Sequence, residues 1–220
     1  MTVFLAAIVA IQGTEAPRTA VAILVPRTLG TPTTQNIFGA VEFTETEEGV
    51  LISGDITGLP AGNYGFHVHE AGDISSCDAA GAHFNPDDTE HGGRDHEIRH
   101  VGDLGNVVFT STAAGVPVAT INIVDTVLTL RGRNNILGRT LVLHEQEDDL
   151  GLGNHETSKT TGNAGARVAC GVIGIKSPTT AWNAGATFSP SLFQLNACVM
   201  DIRQRIIIHI IYFSFVNTYL

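Results

Sequence analysis

Six histidines and one aspartate in this chain have the types and spacing of a site for two metal ions. His67-Val68-His69 closes a strand-like run, and in a strand residues i and i+2 point to one face. Both imidazoles can therefore reach one ion while Val68 packs the other way. His144 ends a second strand-like run and could approach the same point. His83, His91, His100 and Asp103 follow at intervals of eight, nine and three residues. Nitrogen and oxygen donors of this kind suit zinc or copper, and imidazole serves either. Three histidines with one carboxylate make a closed tetrahedral zinc site. A strand-borne histidine cluster suits copper(II), which favours planar nitrogen coordination. An isolated His-x-His pair is a weak signal, and His91, His96 and His100 also suit a solvated loop. Yet six of the nine histidines fall in this arrangement, which a random scatter explains poorly. His96, His155 and His209 read as ordinary residues.

Strands must position these side chains. Strand-like runs recur over Ala20–Val25, Phe38–Thr44, Val50–Ile56, Tyr64–His69, Val118–Leu130, Leu141–His144 and Val168–Ile175. Several alternate apolar with polar: Val41 and Phe43 flank Glu42, and Ile121 and Ile123 flank Asn122. Turn signals such as Gly58-Leu59-Pro60-Ala61-Gly62 and Gly132-Arg133-Asn134-Asn135 separate the runs. No run of helical period stands out. The expected fold class is all-β, a Greek-key β-sandwich or barrel of about eight strands, immunoglobulin-like, with two long functional loops. The loops cover residues 70–103 and 145–167 and are polar and Gly-rich. Structureless segments of that length are usually functional or disordered. Most of the histidines and aspartates of interest lie in or beside them, and a metal would order them.

Composition sets further bounds. The 220 residues are 43% hydrophobic, enough for a real core, with 24 Gly and few aromatics. The net charge of −10 argues against a nucleic-acid partner. It also repels an anionic substrate, so binding one requires a local positive feature. Three segments are expected: 1–16, 17–176 and 177–220. Val3–Ile11 is a short uncharged apolar run, with Gly13 and Ala16 as cleavage positions, and reads as a secretory signal peptide. The same run suits a buried first strand, which would leave a cytoplasmic protein. Residues 177–220 end in RIIIHIIYFSFVNTYL, which is interrupted by His209, Ser214 and Asn217 and is short for a membrane span. Small residues near Asn183–Ala186 followed by an apolar tail also suit a lipid-anchor signal, and with it membrane association. An extension with no packed role is the third reading. The three cysteines are Cys77, Cys170 and Cys198, an odd count that leaves one over in a secreted protein.

The segments GFHVHEAGD (65–73), GAHFNP (81–86), HGG (91–93), RHVGDLGNV (99–107), GRTLVLHEQEDDLG (138–151) and TGNAGARVACGVIGI (161–175) resemble the Cu/Zn superoxide dismutase family over residues 19–176. The resemblance implies copper and zinc ions, with superoxide as substrate. It makes His67, His69 and His144 copper ligands, His83 an imidazolate bridging copper and zinc, and His91, His100 and Asp103 the rest of the zinc site. Asp148 resembles the carboxylate that hydrogen-bonds ligand histidines from both metals. Arg167 matches the active-site arginine that attracts the anion, and His83 the proton carrier. Thr161 resembles a residue lining the substrate channel. The lysine that many relatives place before that threonine is Thr160 here, with Lys159 one position earlier. Arg99 resembles a structural arginine. The resemblance also implies a Cys77–Cys170 disulfide, a closure that chain entropy values at about 4–5 kcal/mol.

A homodimer and a copper chaperone are the implied protein partners. The extension after the last strand, and Ala71 in place of a larger residue near the family's interface, depart from the pattern that makes the dimer. Three other functions stay open at this stage. A dismutase-like domain could store or carry copper without turnover, although such relatives usually lack a copper ligand or the arginine. Hydrolytic zinc chemistry would use His67, His69 and one more histidine, and leaves the other ligands unexplained. A metal-free adhesion sandwich accounts for the strands and for none of the histidines.

Overall fold

The structure, a computed structural model, describes residues 16–26 and 36–177. Among these residues the strands are β1 (Thr19–Pro26), β2 (Phe38–Glu45), β3 (Val50–Thr57), β4 (Gly62–His69), β5 (Asp103–Ser111), β6 (Pro117–Asp125), β7 (Thr140–His144), β8 (Arg167–Val172) and β9 (Gly174–Ser177). Their hydrogen-bonded order is β2-β3-β6-β5-β4-β7-β8-β1-β9, and β2 also pairs with β1. The β2–β1 pairing closes eight strands into an antiparallel barrel, with β9 added on β1. The chain skips two strands between β3 and β4 and two between β6 and β7, which is Greek-key connectivity. Closure is uneven. β5 and β6 share two residue pairs, as do β1 and β8, whereas β3 and β6 share eight. The barrel is therefore two four-stranded halves meeting along two short seams.

Alternation explains the interior. In β2, Val41 and Phe43 are fully buried while Glu42 is not, and Ala20, Ala22 and Leu24 repeat the pattern in β1. Phe43, Phe66, Phe109, Ile52, Ile56, Leu141 and Leu143 fill the barrel. Burying such a side chain contributes roughly 1.5–3 kcal/mol, which sets strand register firmly wherever one face is apolar.

Three boundaries differ from the sequence pattern. β5 was not among the expected runs, because a bulge breaks its alternation. Gly65 pairs with Asn106 and His67 with Asp103, so two residues of β5 oppose one of β4. Gly105 sits in that bulge at φ +74°, a conformation that favours glycine. The run to Leu130 ends at Asp125, whose carboxylate accepts the Val127 and Leu128 backbone N–H groups and turns the chain. Leu128 and Leu130 are still buried, but as parts of a connection. The run through Ile175 breaks at Ile173, which bonds to Arg139 and Gly138 before β9 departs toward β1. The expected leader within residues 1–16, the tail beyond Ser177 and Cys198 lie outside the described residues, apart from Ala16.

Candidate metal centre

β4 carries two histidines on the face away from the core. Phe66 and Val68 point into the barrel and are fully buried, so His67 and His69 point outward by the period of two. β7 lies beside β4, with His67 opposite Val142 and His69 opposite Thr140. His144 ends β7 on that same outer face. The three rings are nevertheless buried, at 3% exposure or less, because the two long loops cover them.

The first loop joins β4 to β5 and brings in the other imidazoles. Phe84 N–H donates to Val68 O, Val68 N–H to Gly102 O and Gly102 N–H to Phe84 O, all at 2.8–2.9 Å. These bonds lay the loop against the end of β4 and set His83 opposite His69. Arg99 is buried in the same loop. It forms an ion pair with Asp125 at 2.8 Å and donates to the carbonyls of Arg94, His100 and Val101. Its guanidinium thus braces the backbone on either side of His100.

Two groups of ligand atoms result. One ligand atom from each of His67, His69, His83 and His144 lies within 4.8 Å of the others, and the same holds for His83, His91, His100 and Asp103. All seven residues are buried, and His83 belongs to both groups. In the second group Asp103 Oδ1 stands 2.8, 3.0 and 3.1 Å from Nδ1 of His83, His91 and His100.

Five of the other ring nitrogens have outer partners, which assign the tautomers. His69 Nδ1 donates to Gly81 O at 2.9 Å and His144 Nδ1 to Gly165 O at 3.3 Å. His100 Nε2 donates to Thr89 O at 3.0 Å. His67 Nε2 and His91 Nε2 donate to the two oxygens of Asp148, at 2.9 and 2.8 Å. Asp148 therefore joins a ring from each group. Gly162 makes room for this junction. Its φ is +66°, and a Cβ there would lie 1.9 Å from Asp148 Oδ1 and 2.5 Å from His91 Nε2.

Burial and neighbouring charge divide these rings. Burial, with like charge from neighbouring rings, holds His69 and His144 well below the ordinary histidine value and lowers His83 to about 3. Those rings are neutral at neutral pH, with a lone pair available on each ligand nitrogen. Burial also disfavours charge on His91, but the carboxylates of Asp103 and Asp148, 3.0 and 2.8 Å from its two nitrogens, reverse that and raise it to about 9. Burial pushes the carboxyls of Asp103 and Asp148 up. Their imidazole hydrogen bonds outweigh it and hold both well below the usual carboxylate range.

The donor set fits metal ions on geometric grounds. With Nδ1 of His69 and His144 donating to carbonyls, their Nε2 lone pairs face each other at 3.3 Å. His67 Nδ1 and His83 Nε2 are buried without hydrogen-bond partners. Facing lone pairs and orphaned buried nitrogens are costly unless a cation lies among them. All-imidazole donors suit copper, and three imidazoles with one carboxylate suit zinc.

Arg167 opens β8 opposite His144. Its Nη1 donates to Cys77 O and Asp78 O, and its Nη2 to Gly81 O, the carbonyl that also anchors His69. Its positive charge is one of the causes that depress His69 and His144. Cys77 begins a 3-10 turn (Cys77–Ala80) and is bonded to Cys170 of β8, with Cα atoms 5.6 Å apart. Thr161 is exposed at the end of a one-turn helix, α1 (Ser158–Thr161). Lys159, on the same turn, lies 3.4 Å from Glu90. Its carbonyl accepts His91 N–H. His96 and His155 are exposed and belong to neither ligand group.

Sequence reasoning gave no role to Asn106, although that residue lies inside the RHVGDLGNV segment. Nor did it separate the outer anchors. The carbonyls of Gly81, Thr89 and Gly165 carry no side-chain signature.

Comparison with known proteins adds an independent line. The family model for copper/zinc superoxide dismutase (SODC) matches residues 37–173. The extracellular superoxide dismutase [Cu-Zn] of Drosophila melanogaster is 53% identical over 141 residues, covering 63% of this chain and 76% of that protein. Superoxide dismutase [Cu-Zn] 4 of Dictyostelium discoideum is 54% identical over 138 residues, covering 61% of this chain and 89% of the relative. Among solved structures, that of the clock protein EA4 superposes with a TM-score of 0.65 at 48% identity, covering 75% of this chain and 99% of that one.

Proposed function

Because the chain belongs to the copper/zinc superoxide dismutase family, we propose a division of its reaction among its own residues. The reaction converts two superoxide anions and two protons to oxygen and hydrogen peroxide, with copper and zinc as cofactors. When bound, copper relays an electron from one superoxide to the next by alternating between two oxidation states, while zinc stays redox-inert.

His67, His69, His83 and His144 hold the copper. His83, His91, His100 and Asp103 hold the zinc. The observation that carries this assignment is the meeting of two buried four-residue groups on one imidazole, His83. Asp148 fixes ring orientation on both sides through His67 and His91. His83 Nε2 takes and returns the proton that hydrogen peroxide requires. That nitrogen is buried and has no hydrogen-bond partner within the protein. Arg167 draws in and orients superoxide. A guanidinium stays charged at any working pH and presents N–H groups to an anion. Held beside the copper-side histidines, it supplies the local positive field that a chain of net charge −10 lacks overall. Thr161 lines the approach from α1. Lys159 is paired with Glu90, and both side chains are more than half exposed, so its steering is weak.

The proposed setting is extracellular. The Cys77–Cys170 disulfide belongs to an oxidising compartment, and one relative is named extracellular. A cytoplasmic setting is the alternative. The apolar leader and tail that would bear on secretion or on membrane association lie outside the described residues. Among the described residues no helix is long and apolar enough to cross a membrane. The proposed assembly is a homodimer, supported by Ile23 and Ile175, which are about half exposed on the adjacent strands β1 and β9. A copper chaperone is the proposed source of the copper.

Metal analysis of the purified protein, with superoxide consumption measured before and after copper removal, tests the assignment. One copper and one zinc per chain, with activity that leaves and returns with copper, are expected. Copper bound without turnover would favour storage, and zinc alone without turnover a structural role.

A further inference from the structure

Asn106 lies outside the ligand set, yet its side chain makes a reciprocal pair of bonds with the backbone of Asp148. Asn106 Nδ2 donates to Asp148 O at 2.8 Å, and Asp148 N–H donates to Asn106 Oδ1 at 2.8 Å. A side-chain amide used in this way imitates the peptide of a neighbouring strand. It fixes both the position and the rotation of the peptide groups that flank the aspartate.

Those peptide groups decide where the Asp148 carboxylate points. Asp148 belongs to the long loop between β7 and β8, and a loop alone positions a side chain less sharply than a strand does. Its two oxygens receive His67 Nε2–H and His91 Nε2–H, one ring from each ligand group. Its Oδ1 also accepts Leu150 N–H at 2.7 Å. A small rotation of the backbone would therefore disturb both rings together.

The bulge in β5 explains why that strand can supply the clamp. Leu104 and Val107 are buried in the barrel. Gly105 at φ +74° lies between them and shifts the alternation. Asp103 and Asn106, three positions apart, are thereby released from the core and turned to the site. One strand then supplies a ligand of the zinc group and the anchor of the loop carboxylate.

We infer that Asn106 is a positioning residue that holds the copper-side and zinc-side imidazoles in one register by clamping the backbone of Asp148. The inference rests on the ligand assignment proposed above.

Three forms of the fully loaded protein test it. Asn106→Leu removes both bonds at similar volume. Asn106→Asp keeps an acceptor for Asp148 N–H and loses the donor. The readouts are hydrogen exchange of the His67 and His91 Nε2–H protons by NMR in the copper(I) state, retention of each metal against a chelator, and the copper(II) electron paramagnetic resonance spectrum. In Asn106→Leu, both protons are expected to exchange about tenfold faster and both metals to be held about tenfold less well, the scale seen when outer hydrogen-bond partners of ligands are lost. The copper(II) spectrum is expected to shift, and Asn106→Asp to lie between Asn106→Leu and the parent. A folded variant with unchanged protons and retention overturns the inference. So does loss confined to the zinc side. If Asn106→Leu does not fold, the Asn106→Asp comparison decides by the same criteria. A parent protein that binds neither metal would sink the ligand assignment instead, before any variant is compared.

Discussion

Arg167 Nη1 donates to the carbonyl oxygen of Cys77 across 2.9 Å. Cys77 is in turn bonded to Cys170, on the same strand as Arg167. Strand, disulfide, 3-10 turn and guanidinium close a ring, so the arginine rests on the piece of chain that the disulfide holds. Opening the disulfide should therefore act on catalysis as well as on stability. Cys77→Ser with Cys170→Ser is expected to cost about 2–5 kcal/mol of stability. Activity per bound copper is expected to fall by about tenfold as anion attraction weakens. Denaturant titration and a copper-normalised superoxide assay read the two effects. Full activity per copper in the double variant would break the link between disulfide and arginine.

Replacing the cation itself isolates the field. Arg167→Glu is expected to lower kcat/KM by about ten- to a thousandfold, the range over which steering acts. Copper and zinc content should stay near one each, because Arg167 donates to the backbone carbonyls of Cys77, Asp78 and Gly81. The salt dependence should weaken or reverse as well. Pulse radiolysis at several ionic strengths, beside elemental analysis, measures all three. Unchanged rates would remove Arg167 from the mechanism.

Gly162 is a steric requirement. Gly162→Ala places a Cβ 1.9 Å from Asp148 Oδ1 on a backbone at φ +66°. The alanine conformation alone costs about 1–3 kcal/mol, and the displaced carboxylate loses its grip on His91. Zinc retention should drop about ten- to a hundredfold. A chelator competition that shows parent-like zinc binding would mean that the loop gives way without moving Asp148.

One acid-sensitive contact lies among groups that bind no metal. Burial raises the Glu45 carboxyl, but the hydrogen bond from Arg131, the Arg18 N–H and the charges of both arginines outweigh it, and the net shift is downward. A depressed carboxylate adds stability that is fully present above its unfolded value, about 4.3. That stability is lost as pH falls through the folded value. Glu45→Gln should therefore be less stable than the parent at pH 7, and the gap should close below about pH 4. Urea midpoints across that range decide it. A gap that persists at low pH would assign the effect to packing.

Much of this could be read from residue types. His67 and His69 flank Val68, so the two-residue period already placed both rings on one face, opposite Val68. Buried strands such as β2 declared themselves in the same way. β5 did not, because its bulge replaces the period of two by an interval of three between Leu104 and Val107. Asn106 was hidden by the same irregularity. Its role comes from a contact 42 positions away that no local pattern encodes. The carbonyl anchors escaped for a simpler reason: every residue has one, and only the folded path shows which of them meet a ring.

The wide sequence spacing of the centre also has a consequence in time. His67 and its partner Asp148 are 81 positions apart, and the bonded cysteines 93. A ribosome synthesises the chain from the amino end, so His67 and His69 emerge long before the residues that complete their site. A half-made chain offers an imidazole pair with no bridge, no outer carboxylate and no covering loop, a pair with little power to choose among divalent ions. Selective metal capture thus belongs to the finished polypeptide.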